Sequence, residues 1–405
     1  MTTFVERCGV QGAAHDLAVA TLLQRLRDDG VEQVRIGWCD LHGALRGKTL
    51  MPSAVPAALT DGVGMVSTLL LKDTSDRTAF KVFERGVHDD LPGFDSAFGA
   101  GNLLLLPDPA SLQLLPWAPR TAWLRAQAWF TDGRPVPQDP RRVLQQALAR
   151  LAPLGLGLRC GLEVEFHVYR IVAERDDPQQ AAWPGEPPEV ALAHPGYQLL
   201  SEDWGDRAHE VLSIVRHTAL GLGLPLRSLE IELGPSQFEA VFDSADALTA
   251  ADHMVLFRNG VKQALRRAGW HATFMCRPPF ANIMSSGWHL HQSLQRLSDG
   301  ANVFMRDAPL HDAPASDART VLSDLGAHWL AGLLQHAAGA AVFGCSTANA
   351  FGRFRPNALA PLAALWGRDN RGAMLRVLGT PGDPATRIEN RLGEPMANPY
   401  LYMAS

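Results

Sequence analysis

Four short segments of this 405-residue chain read as strands that bury one face and carry charge on the other. In GLEVEFHVY, Glu163 and Glu165 stand two residues apart and share a face, with Leu162, Val164 and Phe166 on the opposite one. LEIELGPSQFE repeats the pattern with Glu230 and Glu232, and Glu239 follows after a Gly-Pro turn. GWHLHQSL puts His289, His291 and Ser293 together, and TRIENR groups Arg387, Glu389 and Arg391 opposite Ile388. Any one of these alone reads as a solvated strand face. Together, with flanking apolar residues that call for a core, they constrain the fold far more. If the polar faces line one cavity, each unpaired buried ion costs several kcal/mol. Divalent cations and a basic cluster resolve that conflict. Carboxylate oxygens with a single imidazole suit Mg²⁺ or Mn²⁺ better than a thiolate-preferring metal. Seven arginines (353, 355, 368, 371, 376, 387 and 391) fall within 39 positions, against three acids, Asp369, Asp383 and Glu389. An arginine cluster beside a multi-carboxylate metal site points to polyphosphate held between cations and guanidinium forks. The alternative is a basic surface face.

The rest of the chain frames this site. A formal net charge of −5 and a pI near 6.3 argue against a general nucleic-acid or membrane-surface binder. The apolar stretch 328–342 is interrupted by Gln335 and His336, so no segment reads as membrane-spanning. Five scattered cysteines form no CxxC pair, and MTTFVER lacks the apolar core of a signal peptide, so a reducing, cytoplasmic setting is expected. Leu17, Leu22, Leu23 and Leu26 recur at helical spacing before Gly30. Val34, Ile36 and Trp38 alternate as a strand, and DLHG turns into a second one, ALRGKTL. Asp139 and Pro140 form a helix start, with Val143, Leu144, Ala147, Leu148 and Leu151 as its buried stripe. A small sheet domain over 1–130 and a larger domain over 131–405 are therefore expected, with surface loops at 183–190 and 307–318.

The order of motifs carries a resemblance. From DLHGALRGK (40–48) through GLEVEF, ELGPSQFE, FMCRPP…SSGWHLHQSL, NAFGRFRPNALAP and WGRDNRGAMLR to RIENR…ANPYL, the chain resembles the glutamine synthetase family. The resemblance implies an α+β fold: a small β-grasp N-terminal domain and a catalytic domain built as an open antiparallel barrel, or funnel. It implies ATP as co-substrate and two divalent cations, Mg²⁺ or Mn²⁺. Glu165, Glu232 and Glu239 would hold one cation, and Glu163, His289 and Glu389 the other, with Glu230 a neighbouring carboxylate. Arg353, Arg371 and Arg376 match catalytic positions. Arg353, Arg391 and Ser285 match the glutamate side; Arg376, Arg387, His291 and Ser293 match the ATP side. The implied chemistry is transfer of a phosphoryl group to the γ-carboxylate of glutamate, followed by attack of an amine on the acyl phosphate. The family also assembles as homo-oligomeric rings, which would place Asp40–Lys48 near an interface.

The departures from the family pattern concern the nucleophile. Ammonia-using members carry a flap Glu between two prolines, and here Leu359 stands between Pro356 and Pro361. A second acid of such members would fall near Val66–Ser67, where no carboxylate stands. An amine pocket containing Leu359 and Val66 favours an organic amine over ammonium, as in the branch that makes γ-glutamyl polyamines and alkylamides. Met284 and Ser285 replace the asparagine and glycine before SGxH, and Arg277 replaces a common lysine. Trp288 is expected on the far face of its strand. Family members run on for roughly 60 residues past ANPYL, a partly domain-scale extension. The competing readings are an ammonia-dependent glutamine synthetase, a non-catalytic structural or sensing relative, and an unrelated two-metal phosphotransferase.

Overall fold

The structure, a computed structural model, describes residues 2–79, 81, 100–310, 313–314, 316–356 and 358–405. The loop expected at 307–318 lies partly outside these residues. The chain divides into two compact units, Met1–Val143 with Arg175–Pro187, and Leu144–Glu174 with Pro188–Ser405. The first division between these contact units falls at Val143, inside the helix Pro140–Ala149.

The N-terminal unit contains helices α1 (Phe4–Arg7) and α2 (Ala13–Asp28), strands β1 (Gln33–Cys39) and β2 (Leu45–Leu50), helix α3 (Val55–Asp61), strands β3 (Val63–Val66), β4 (Asn102–Pro107), β5 (Gln113–Leu114) and β6 (Thr121–Phe130), and the start of α4 (Pro140–Ala149). Its strands run in the order β2-β1-β6-β4-β3, with β5 beside β6. The β1–β6 pair is parallel and the others antiparallel. Val34, Ile36 and Trp38 are each at most 1% exposed, as their alternation requires. The DLHG turn forms because the Asp40 carboxylate accepts hydrogen bonds from the backbone N–H groups of His42 and Ala44, each at 2.9 Å. On α2 the buried stripe is narrower than expected: Leu22 and Leu26 enter the core, whereas Leu17 is 70% exposed. Asp139 is buried and accepts from the N–H groups of Arg141 and Arg142, capping α4, and from Trp38 Nε1 and Ala128 N.

The second unit is organised around β7 (Leu156–Ala173), an 18-residue strand. It is followed by β8 (Glu189–Leu192), α5 (Glu202–Arg207), α6 (His209–Gly221), β9 (Leu226–Ile231), β10 (Gln237–Phe242), β11 (Ala245–Asp246), α7 (Ala247–Arg267), β12 (Trp270–Thr273) and β13 (Trp288–Arg296). Helices α8 (Asp324–Gln335) and α9 (Ala337–Gly344), strands β14 (Trp366–Arg368), β15 (Leu375–Leu378) and β16 (Arg387–Asn390), and helix α10 (Pro399–Ala404) complete it. The sheet order is β14-β15-β16-β13-β7-β10-β9, with β8, β11 and β12 also on β7. The sheet is mixed: β14 and β15 pair in parallel, which corrects the all-antiparallel expectation. The parallel pair arises because residues 369–374 return the chain so that Trp366 lies beside Leu375 and Arg368 beside Val377. The apolar face of β7 packs on α7, with Phe166 against Phe257, Phe238 and Phe274 at ring separations of 5.8, 6.1 and 5.3 Å. That leaves its glutamates facing the other way. Trp288 is fully buried on the far face of β13, edge-on to Tyr402, as the sequence pattern required. Among the described residues no helix is long and apolar enough to cross a membrane.

Candidate active site

Strand register assembles the polar faces. On β7 and β13, Glu163 pairs with His289; on β7 and β10, Glu165 pairs with Glu239; on β10 and β9, Glu239 pairs with Glu230. On the other flank His291 lies opposite Glu389, and Glu389 opposite Arg376. All of them but Glu389 line a cavity of about 1400 Å³. Its lining includes Ser285, Ser293, Arg353, Leu359, Arg371, Arg376, Arg387 and Arg391, beside Glu163, Glu165, Glu232, Glu239, His289 and His291. Glu389 sits behind His289 and His291, fully buried. Val66 belongs to the N-terminal unit, where it ends β3 and is exposed.

Two groups of ligand atoms differ in charge balance. Glu165, Glu232 and Glu239 each bring a carboxylate oxygen within 4.8 Å of the others. Burial pushes the Glu165 carboxyl up to about 8, and the charge of Glu232 adds to it. Burial pushes Glu239 up to about 10, reinforced by Glu163, Glu165 and Glu232. Glu232 is raised by burial too. Three acids crowded in this way, opposed by hydrogen bonds from Gly287 N and Leu233 N and by the Arg353 and Arg391 fields, form a site that a divalent cation would neutralise. The donor set fits Mg²⁺ or Mn²⁺.

The second group is already compensated. His289 Nδ1 lies 2.6 Å from Glu163 Oε1 and 3.7 Å from Glu389 Oε1, and His291 Nε2 lies 3.1 Å from Glu163 Oε2. Burial would raise Glu163, but hydrogen bonds from His289 and His291 outweigh it and hold the carboxyl far below its usual range. Glu389 is also lowered, because the fields of His289 and Arg391 overcome its burial. Its two oxygens are taken separately, Oε1 by Arg391 Nη1 and Oε2 by Arg376 Nη1. Glu163, Glu389 and His291 bring ligand atoms within 4.8 Å of one another, and so do Glu163, Glu239 and His289. Glu230 faces the same cavity but joins none of these groups; its Oε1 accepts from Ser228 Oγ at 2.9 Å.

The arginines occupy distinct places. Arg353 is buried and its Nη1 donates to the carbonyls of Leu392 and Gly393, both at 3.0 Å. A Cβ on Gly287 would lie 2.5 Å from Arg353 Nη2 and 3.2 Å from His289 Nε2, so glycine is what leaves room for both the guanidinium and the imidazole. Arg387 Nε donates to His291 Nδ1 at 3.1 Å, and Arg371 is exposed at the lining. Ser285 Oγ accepts from Arg277 Nη1 at 3.2 Å.

Several contributors were not singled out from the sequence. Gln237 Nε2 lies 3.1 Å from Glu165 Oε2, 3.2 Å from the Ser285 carbonyl and 3.1 Å from Ser286 Oγ. Ser286 Oγ in turn lies 3.2 Å from Nδ1 of His167, whose pKa burial pushes down to about 3. His167 is two residues past Glu165, so its place on the same face was readable from strand period. Asp369 binds Arg376 from the solvent side through Nε and Nη2. Glu394 accepts from Thr347 N, Thr347 Oγ1 and Ser346 Oγ, anchoring the segment that leads to Arg353.

The family described as glutamine synthetase, catalytic domain, matches residues 137–405. The chain belongs to the glutamine synthetase family. A γ-glutamylanilide synthase from an Acinetobacter species is 37% identical over 392 residues, spanning 96% of this chain and 76% of its own length. A glutamine synthetase from Thermus thermophilus is 31% identical, spanning 95% of this chain and 77% of its own length. A solved structure titled as a GmaS–ADP complex superposes with a TM-score of 0.71 at 29% identity, covering 94% of this chain and 78% of that one. The curled sheet is that of the glutamine synthetase fold, and family enzymes use ATP and a divalent metal.

Proposed function

We propose that this chain is an ATP-dependent carbon–nitrogen ligase that joins the γ-carboxylate of glutamate to an organic amine. The observation that carries this reading is an intact carboxylate and arginine constellation with an apolar residue, Leu359, at the flap. The higher identity to the γ-glutamylanilide synthase than to the glutamine synthetase, 37% against 31%, points the same way.

Glu165, Glu232 and Glu239 would hold one divalent cation, and Glu163, His289 and Glu389 the other. Bound cations would neutralise phosphate oxygens during phosphoryl transfer. Arg353, backed by two carbonyls, and Arg391 bind and orient the acid substrate. Arg371, Arg376 and Arg387 hold the phosphates, with His291 and Ser293 on the nucleotide side and Ser285 on the glutamate side. The γ-carboxylate attacks the γ-phosphorus, ADP leaves, and the amine nitrogen then displaces phosphate from the γ-glutamyl phosphate. Arg353 and Arg391 hold the acyl group in place for attack.

We read the N-terminal unit as a β-grasp, given its mixed sheet with a parallel β1–β6 pair. The functional division is near residue 131, and the working assembly is a cytoplasmic homo-oligomeric ring. Incubation with glutamate, ATP, Mg²⁺ and an amine mixture, read by ADP release and by mass spectrometry, tests the function. A γ-glutamyl amide of an organic amine is expected; ammonium as the best nucleophile would overturn the reading in favour of glutamine synthetase proper.

A further inference from the structure

The cavity has two chemically different ends. At one, Arg159 donates to the Ser244 carbonyl and Asn302 to the carbonyls of Pro384 and Thr386, a polar rim beside Arg387. At the other, the lining turns apolar: Leu199, Leu200, Ile283, Met284 and Leu359. Contacts tie these residues to one place. Tyr197 N and Leu200 N donate to the carbonyls of Leu233 and Ile231, and Met284 packs against Gly234. The loop bearing Leu359 is held through Asn349, which accepts from Arg277 N and donates to the Arg277 carbonyl.

Two observations define what fits there. The first is backbone strain: Tyr197 and Leu200, neither of them glycine, sit at φ +59° and +56°. Left-handed backbone is unfavourable at a bulky residue, and it persists where the surroundings enforce it. Here it presents Leu199 and Leu200, 52% and 62% exposed, to the cavity. The second is charge. The cations at this end are Arg277 and Arg355, whose side chains both approach Gly352. Among the described residues of this unit, the acids lining the cavity are the ligand-group glutamates, Glu230 on Ser228, and Asp243 beside Arg227. Glu230 and Asp243 are engaged by Ser228 and Arg227, so among the described residues of this unit the apolar end pairs an alkylammonium ion with two guanidinium groups, which repel it.

We infer that the acceptor is a weakly basic amine, uncharged at neutral pH and carrying an apolar ring: an arylamine. This rests on the ligase reading above and names its second substrate. The chemistry balances without a protein base. The neutral nitrogen attacks the acyl carbon of the γ-glutamyl phosphate, the C–N bond forms and the C–O bond to phosphate breaks. The nitrogen's proton leaves with the departing phosphate as its monohydrogen form. An alkylammonium would first have to shed an additional proton, and the described residues at this end, two of them guanidinium groups, favour a neutral amine over the cation.

The test compares aniline with cyclohexylamine, rings of matched carbon count but opposite charge at neutral pH, using the full chain with glutamate, ATP and Mg²⁺. At neutral pH, kcat/KM for aniline exceeds that for cyclohexylamine by at least about tenfold. The gap narrows as alkaline pH frees cyclohexylamine, while the aniline rate stays flat. Cyclohexylamine equal to or better than aniline at neutral pH overturns the inference and leaves the ligase reading standing. Glutamine formed in preference to every amide overturns the ligase reading itself. In Leu359→Glu the preference shifts towards cyclohexylamine with the KM for ATP retained; an unchanged preference would count against Leu359 as a wall of the amine site.

Discussion

At the residue scale, two carboxylates on one face of β7 are held in opposite directions, Glu165 raised and Glu163 lowered. Glu163, Glu165, Glu232, Glu239, His289 and Glu389 were readable because strand period alone puts alternate side chains on one face. What could not be read was that Glu165 is pushed up to about 8 while Glu163, two residues away, is held low. That difference comes from His289 and His291, more than 120 positions distant, and only the register of β13 on β7 supplies it. Gln237 lay inside a quoted motif, yet its amide contact to Glu165 needed the fold. Arg353→Lys should lower kcat/KM for glutamate by about a hundredfold or more, because an ammonium cannot reach the Leu392 and Gly393 carbonyls and still face substrate. Steady-state kinetics with varied glutamate checks this; a change below about threefold would remove Arg353 from the substrate site.

At the element scale, the close approach of β13 to its neighbours governs geometry. Gly287→Ala puts a methyl against the Arg353 guanidinium and close to the His289 imidazole. It is expected to lose about a hundredfold in kcat/KM, since displacements near 1 Å carry that effect, with unfolding temperature little changed. Wild-type kinetics in a folded Gly287→Ala would show that the contact is idle. The chain of contacts from Glu165 through Gln237 and Ser286 to His167 braces β7 against the loop before β13. Gln237→Ala should raise the Mg²⁺ concentration for half-maximal activity by about 10–100-fold, as loss of an outer partner typically does. A metal titration of activity reads this directly, and an unmoved half-saturation point would contradict it. The mixed order of the sheet was the element-level feature the sequence concealed. The residues from Asp369 to Met374 read as one more turn-rich stretch, whereas they bring β14 alongside β15 in parallel.

At the scale of the whole molecule, metal and pH act on stability through the same acids. In the metal-free protein, Glu165 at about 8 and Glu239 at about 10 lie above the unfolded carboxyl value of about 4.3. Stability from such raised groups is complete below the unfolded value and is lost as pH rises through the folded one. His167, pushed down to about 3, works in the opposite sense: its contribution is present above about 6.5 and lost as pH falls. Between about pH 6.5 and 8 the carboxyls therefore act alone, and the melting temperature in chelator should fall by about 2–4 °C per pH unit. Saturating Mg²⁺ or Mn²⁺ should flatten that slope. A melting curve in chelator that rises over this range would refute the assignment of these acids.

The loop at Tyr197 and Leu200 has a consequence for how this protein can change. Two bulky residues in left-handed backbone are a standing reserve of instability. Leu200→Gly would release up to about 1 kcal/mol of it, so the variant should melt higher than the parent. It would also remove a wall of the proposed amine pocket and weaken its selection for an apolar ring. Selection for robustness and selection for a discriminating pocket therefore pull this one position in opposite directions. A lineage relaxed from its amine should drift towards glycine there.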